Sequence, residues 1–504
     1  MNKRIFERCL PEEVGISSKA VLDLIEALEK DYTEIHSFQI MRFDKIAAEG
    51  WWAPYAPGMR HMMMSASKTF TGTAIGIAVR EGLTSLEEKA ADIFPEYLPE
   101  MPSQNLLNVK VKDLLSMSSG SDHEVPVDKQ WPENYFKETE FIHEPGTSFL
   151  YNNAPATLLA LIIKKRTGLD MPEYLKERLF DKIGIDYRNV VWFKAPNGTN
   201  FAPGGVHCTT EDLLRLMRLY LRDGVWDGER ILDESYVQLA TSKRVDSANI
   251  FGYAKRDRFS DNVFGYGYMM WMSHGDMGYR AEGAYGQFGI VIPKLDLIIA
   301  VTQSSSESPV SQTTLDDIWK FAETIQQDSL PADEALQKAL EKRLSRLAVP
   351  RDPYSEKGEF PLPGKTYHVD GMGPRPYVLF YDPLVASYEA DSMTGMTEFS
   401  FRDADDIYHQ NGVILDAVIN GHPYALPVPT DGSRTGFLLP EMIYTKLVML
   451  SGYWKDKETF CVRFRWSETG FVKELSFRFE GSRCIINETM IHGDDRDMHE
   501  VIAE

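Results

Sequence analysis

Ser65-Ala66-Ser67-Lys68, running on through Thr69-Phe70 toward Arg80, is the stretch that decides how this chain is read. Serine and lysine stand at i and i+3, so on a helix they share a face and their side chains can meet. A serine hydroxyl is a weak nucleophile until a nearby base takes its proton. Lysine serves as that base only if burial or neighbouring positive charge lowers its pKa. Ser65 at the helix start also offers a backbone N–H to a developing oxyanion, with the helix dipole behind it. Alone the spacing is weak, because Ser and Lys are common. A second stretch, Tyr151-Asn152-Asn153, follows in the right order and stands before another apolar helical run. Together they read as a serine nucleophile, a lysine base and a tyrosine proton relay, which is the equipment of acyl transfer.

Outward from Ser65, the helix is expected to run to about Arg80 and stop at Gly82. Gly72 and Gly76 inside it are poor helix formers and predict close packing. Residues 19–30 read as an amphipathic helix, with Val21, Leu22, Leu24, Ile25 and Leu28 on a face. Ser37-Phe38-Gln39-Ile40-Met41 and Ile46-Ala47-Ala48 read as strands around a turn at Asp44-Lys45. Asn153 to Thr167 is a further helix stopped by Gly168, and Thr209-Thr210-Glu211-Asp212 carries an N-cap signature before Leu213 and Leu214. Residues 288–292 and 297–301 read as strands and 314–325 as a last helix. Strands at both ends with helices between predict an α+β domain whose terminal strands share one sheet.

Near residue 330 the character changes. A charged helix from Ala332 to Leu347 leads into Pro350, Pro353, Pro361 and Pro363. Beyond it the pattern has period two: Phe460, Val462, Phe464 and Trp466, then Leu475, Phe477 and Phe479. The expected organisation is a catalytic domain over 1–330, a helical and Pro-rich linker over 331–360, and a β-rich domain over 361–504.

Composition narrows the function classes. The net charge of −21 disfavours nucleic acid and anionic membrane as partners and leaves a small-molecule substrate. No apolar run reaches the length of a membrane span. Basic residues at Met1-Asn2-Lys3-Arg4 are followed by no apolar segment, so the expected location is cytoplasmic. Cys9, Cys208, Cys461 and Cys484 lack metal-site spacing and read as free thiols, and the histidines contain no HExxH. No metal and no cofactor are expected.

Further ordered stretches extend the two motifs. They include residues 49–55, 111–120, Glu144-Pro145-Gly146, Gly204-Gly205-Val206 and Phe264-Gly265-Tyr266-Gly267-Tyr268. With them, residues 10–330 resemble the serine β-lactamase and penicillin-binding-protein superfamily. The pattern is most similar to class C β-lactamase-related esterases, D-aminopeptidases and 6-aminohexanoate-oligomer hydrolases. The resemblance implies a three-layer α/β sandwich around an antiparallel sheet. It also implies a Ser65 nucleophile, a Lys68 base, a Tyr151 relay, and Asn153 holding Lys68 or the substrate amide. The superfamily's third motif, Lys-Thr-Gly or His-x-Gly, corresponds to Ala281-Glu282-Gly283. Its glycine is kept and its cation is absent, so β-lactamase activity is expected to be weak or absent. By resemblance, the backbone N–H of Ala284 is the second oxyanion donor beside that of Ser65. Arg280, Glu282, Tyr285 and Trp271 are candidate substrate contacts, and Trp51, Trp52, Tyr266 and Tyr268 candidate pocket aromatics. The C-terminal domain resembles the lipocalin-like barrels attached to some members, and a homo-oligomer is one expectation for it. The leading reading is a serine hydrolase of a small ester, amide or peptide. An acyltransferase or peptide cyclase using the same acyl-enzyme, and a non-catalytic binding protein on this fold, are the alternatives.

Overall fold

The computed structural model describes residues 5–29, 33–125, 127, 131–195, 197–248, 260–305, 311–355, 358–369, 396–404, 412–419, 421–438, 447–492 and 500–504. Two compact units divide the chain at Ala348/Val349.

The first unit is framed by pairing between its distant ends. Thr33–Arg42 runs antiparallel to Leu297–Ser305, with Ile40 opposite Ile299 and Phe38 opposite Val301. Seven strands form this sheet, in the order Glu7–Arg8, Lys45–Trp51, Thr33–Arg42, Leu297–Ser305, Gln287–Ile292, Tyr279–Gly283, Trp271–Met272. Side chains alternate between faces along a strand, and the two faces meet different helices. A Cβ at Gly289 would lie against Leu213 and Met217 of the helix Thr210–Leu221. A Cβ at Gly50, in register with Phe38, would meet Leu344 and Leu347 on the other side. The sheet is thus sandwiched between helical layers, as expected. The helix Glu334–Leu344 buries Leu340 and packs on the helix Ser18–Leu28, so this charged segment belongs to the first unit.

Local chemistry explains the boundaries. The first hairpin turns at Phe43-Asp44, both at positive φ (52° and 62°), and Lys45 already pairs with Arg42; the turn lies one residue earlier than Asp44-Lys45. The helix expected over 19–30 spans Ser18–Leu28, with Ser17 capping Ala20, and Lys30 lies outside the described residues. Thr209 caps the next helix by accepting from the Asp212 N–H while the Asp212 carboxylate accepts the Thr209 N–H.

The second unit holds a four-stranded sheet, Tyr367–His368 to His422–Pro429, and a six-stranded sheet, Thr435–Leu438 to Glu500–Ala503. Both are antiparallel. Phe460, Phe477, Phe399 and Phe401 from the two sheets meet in one core. A bridge from Val369 to Ala503 joins one pair of edges. Among the described residues the ladders form two sheets rather than one closed ring. All four cysteines are free thiols.

Candidate active site

The candidate nucleophile segment begins as a single 3-10 turn, Met64–Ala66, and becomes α-helical at Ser67, continuing to Arg80. Ser65 therefore stands at the mouth of a fourteen-residue helix rather than within it. Met64, just before it, is held at φ 48°, a left-handed conformation that costs about 1–3 kcal/mol for a non-glycine residue. The segment is tied down on both sides. Met63 donates its N–H to Val206 O at 2.8 Å, and the buried Ser67 hydroxyl accepts from Val206 N at 3.0 Å. Gly72 and Gly76 allow close approach, since a Cβ would lie 3.1 Å from Met269 Cβ and 2.5 Å from the Tyr236 ring. The helix runs on past Arg80 only to Glu81, and Gly82 at φ 72° ends it.

Lys68 is 1% exposed. Its Nζ lies 3.1 Å from Ser65 Oγ and donates to Asn153 Oδ1 and to Pro203 O, each at 2.9 Å. It also sits 4.6 Å from the centroid of the Tyr151 ring. Among the described residues, the atoms within hydrogen-bond reach are uncharged. Burial pushes the amine down from 10.5 to about 7, against a smaller opposing pull from the Glu124 carboxylate. Burial thus favours the neutral amine.

Tyr151 precedes the helix Asn153–Thr167, which Asn152 caps by accepting from Ala154 N at 2.9 Å. The Tyr151 ring stacks on Trp271 (5.3 Å, 22°) and meets Tyr266 edge-on at 6.1 Å. Trp271 and Tyr266 are themselves perpendicular at 4.8 Å. These aromatics form one wall beside Lys68. Asn153 opens the helix, and both its backbone N–H (3.2 Å) and its Nδ2 (2.8 Å) donate to Glu124 Oε1.

The strand Tyr279–Gly283, next to the edge strand Trp271–Met272, lies alongside. A Cβ at Gly283 would lie 2.2 Å from Met63 O and 3.0 Å from Met64 Cβ, so glycine lets this strand press against the segment that leads into Ser65. Beyond it the chain turns through Ala284-Tyr285-Gly286. Gly286 N donates to Gly283 O (3.2 Å), Gln287 Nε2 to Ala284 O (3.2 Å), and Ser305 N to Tyr285 O (3.1 Å). In a trans peptide the N–H points opposite the C=O. With Gly283 O turned into the hairpin, the Ala284 N–H faces out of it. Tyr285, at φ 63°, is half-buried.

Arg280 and Glu282 are occupied by each other. Arg280 is fully buried; its Nε donates to Glu282 Oε2 at 2.7 Å and one terminal nitrogen to Met272 O at 2.7 Å. Asn262 joins them, accepting from Arg280 and donating to Glu282 Oε1 at 3.1 Å. Where a cation was missed in the sequence, the strand carries an internally neutralised pair.

The structure thus gathers Ser65, Lys68, Tyr151, Asn153, Trp271 and Tyr266 around one point, with Gly283 and Ala284 alongside. It does not bring Trp52 there: Trp52 is buried against Phe38 and donates to Glu29 at 2.6 Å. Sequence reading missed the Pro203 carbonyl, Glu124 and Asn262. A carbonyl leaves no residue-type signal, and Glu124 and Asn262 reach their partners only through folding. Among the described residues no cluster of His, Cys, Asp and Glu is arranged to hold a metal. No helix there is long and apolar enough to cross a membrane.

Comparison with known proteins shows the family. The 6-aminohexanoate-dimer hydrolase of Paenarthrobacter ureafaciens is 27% identical over 311 residues, 56% of this chain and 75% of its own length. A β-lactamase of Escherichia coli (strain K12) is 23% identical over 209 residues, 37% of this chain and 54% of the relative. Among solved structures, the octameric penicillin-binding protein homologue from Pyrococcus abyssi aligns over 96% of this chain and 99% of its own. It does so at 16% identity and a TM-score of 0.47. The Beta-lactamase family profile matches residues 36–323, more than half of the chain. The chain belongs to the beta-lactamase family and is a serine hydrolase of that fold.

Proposed function

We propose that Ser65 is the nucleophile of an acyl-enzyme hydrolase acting on a small ester, amide or peptide. Lys68 is its base and Tyr151 its proton relay. The observation that carries this reading is the hydrogen-bond count at Lys68. A neutral amine has two N–H groups and one lone pair. Asn153 Oδ1 and Pro203 O accept, so they take the two N–H groups. The lone pair is left for the third neighbour, the Ser65 hydroxyl at 3.1 Å. The Ser65 hydroxyl then donates to Lys68 and loses its proton to it as Oγ attacks a carbonyl carbon. The carbonyl oxygen, now negative, is held by the Ser65 and Ala284 N–H groups. As the carbon–leaving-group bond breaks, the proton passes from Lys68 through Tyr151 to the leaving nitrogen or oxygen. Water repeats the sequence on the ester, giving its proton to Lys68 and releasing the acid and free Ser65.

The relative that hydrolyses 6-aminohexanoate dimer supports a linear amide as one substrate class. The Arg280–Glu282 pair supports weak β-lactam turnover, because its arginine is already bonded to Glu282, Asn262 and Met272. The test is intact-protein mass spectrometry with a fluorophosphonate, together with turnover of a p-nitrophenyl ester, a D-aminoacyl p-nitroanilide and nitrocefin. An adduct in the wild type that Ser65→Ala abolishes is expected, with ester or anilide turned over faster than nitrocefin. An adduct that persists in Ser65→Ala would remove Ser65 from the reading.

A further inference from the structure

Asn153 presents an amide to Lys68, and an amide has two unlike ends. With Oδ1 toward the lysine, Lys68 donates and keeps its lone pair for Ser65. With Nδ2 toward the lysine, Asn153 becomes the donor, and the lone pair is spent on it. The active arrangement therefore depends on which way this amide faces. Glu124 decides that. Its Oε1 accepts Asn153 Nδ2 at 2.8 Å and the Asn153 backbone N–H at 3.2 Å. An ionised carboxylate only accepts, so the nitrogen end of the amide must face it and the oxygen end must face Lys68. The backbone contact adds a second anchor. Asn153 is the first residue of a fifteen-residue helix, and its N–H is among those the helix leaves without a partner. A carboxylate is also favoured there by the helix dipole.

We propose that Glu124 is a positioning residue of the catalytic apparatus, acting through Asn153 to keep the Lys68 lone pair aimed at Ser65. This rests on the reading of Ser65 and Lys68 as nucleophile and base. Glu124 touches neither. It lies on an exposed loop, 29 residues before Asn153 in the chain, and the fold alone brings them together. Its charge also acts on Lys68 through space, favouring the protonated amine. The other groups around Lys68 are Ser65, the Tyr151 ring, the Asn153 amide and the Pro203 carbonyl. On Glu124's own loop, His123 Nδ1 meets Asp122 Oδ1 at 2.7 Å.

Two substitutions separate the geometric part from the electrostatic one. Glu124→Gln keeps an acceptor but removes the charge and allows either amide orientation. Glu124→Ala removes the acceptor. The readout is the rate of fluorophosphonate labelling of Ser65 against pH, with Ser65→Ala as the blank. The wild-type rate is expected to rise through about pH 7 as Lys68 loses its proton. In Glu124→Gln the rising limb should move to lower pH by about half a pH unit, and by less in high salt because Glu124 is exposed. The rate at the plateau should fall about tenfold in Glu124→Ala and by less in Glu124→Gln. Glu124→Asp, which keeps the charge and the acceptor, should recover part of the loss. A limb and plateau unmoved in both Gln and Ala variants would overturn the role of Glu124 alone. Absence of any Ser65 adduct in folded wild type would take down the underlying reading as well, so the two failures are distinguishable.

Discussion

Lys68 in the first unit and Lys473 in the second are both shut away from water, at 1% and 0% exposure. Around Lys68 the hydrogen-bond partners are a hydroxyl, an amide oxygen and a backbone carbonyl. Lys473 instead faces a carboxylate, Glu488 Oε1 at 2.5 Å, itself 2% exposed, with the Trp466 ring 5.7 Å from Nζ. A buried ammonium is unfavourable by several kcal/mol unless it is paired. The two sites answer this in opposite ways. Among the described residues Lys68 has no counter-charge in contact, and burial lowers its pKa, which is what the proposed role of base requires. Lys473 joins an ion pair across neighbouring strands, which makes it part of the second unit's interior. Burial alone therefore does not make a lysine a candidate base; burial among neutral acceptors does.

The largest expected effects break this contrast directly. Lys68→Arg keeps a cation of similar reach that does not deprotonate at accessible pH. It should lower kcat/KM and Ser65 labelling about 10³-fold while leaving the circular dichroism spectrum unchanged. Activity within a few-fold of wild type would contradict a neutral base at this position. Lys473→Met should do the reverse. It removes the ammonium that faces the buried Glu488 carboxylate and should destabilise the second unit by about 3 kcal/mol in urea titrations, with Ser65 still labelled. Lys473→Met combined with Glu488→Leu should restore most of that stability. If the double variant is no better than the single one, the pair is not what Lys473 contributes.

A smaller effect is expected on the other wall of the site. Gly283→Ala adds a Cβ that would sit 2.2 Å from Met63 O, a backbone atom with no room to yield. The strand must retreat from the segment before Ser65, taking the Ala284 N–H with it. Loss of one oxyanion donor corresponds to about 10²-fold in kcat. The effect should appear in kcat more than in KM, because the donor bonds a charge that exists only in the transition state.

Much of this was legible beforehand because it is local. Ser65 and Lys68 are a helical turn apart, Asn152 and Thr209 announce helix starts, and Gly82 and Gly168 announce stops at φ 72° and 75°. The period-two run Phe460, Val462, Phe464, Trp466 is fully buried on its strand Thr459–Trp466. What resisted is what folding assembles from afar. The Arg280–Glu282–Asn262 network joins a strand to the 3-10 turn Asp261–Val263, eighteen residues from Arg280, and the Lys68–Pro203 contact spans 135 residues to a backbone atom. The site of Glu124 is the clearest case. An exposed acidic residue in a loop has no pattern of its own, and its meaning comes only from the amide it meets.

The last expected effect is on stability, and it sharpens the comparison from the folded state's side. An unfolded lysine keeps its ordinary value of 10.5, whereas burial brings Lys68 down to about 7. Between these values the unfolded chain binds more protons than the folded one. Stability then rises with pH across that window, because slope follows the difference in bound protons. Below about pH 7 Lys68 is protonated in both states, and its penalty on folding is complete. As pH climbs toward 10.5 the penalty fades. Lys68→Met removes this titration, so its unfolding midpoint in urea should gain most over wild type near neutral pH and least near about pH 10. Lys473→Met, measured beside it, should show a loss rather than a gain near neutral pH. The same trend in both variants would mean that the two lysines are held alike, and the distinction drawn from their neighbours would fail.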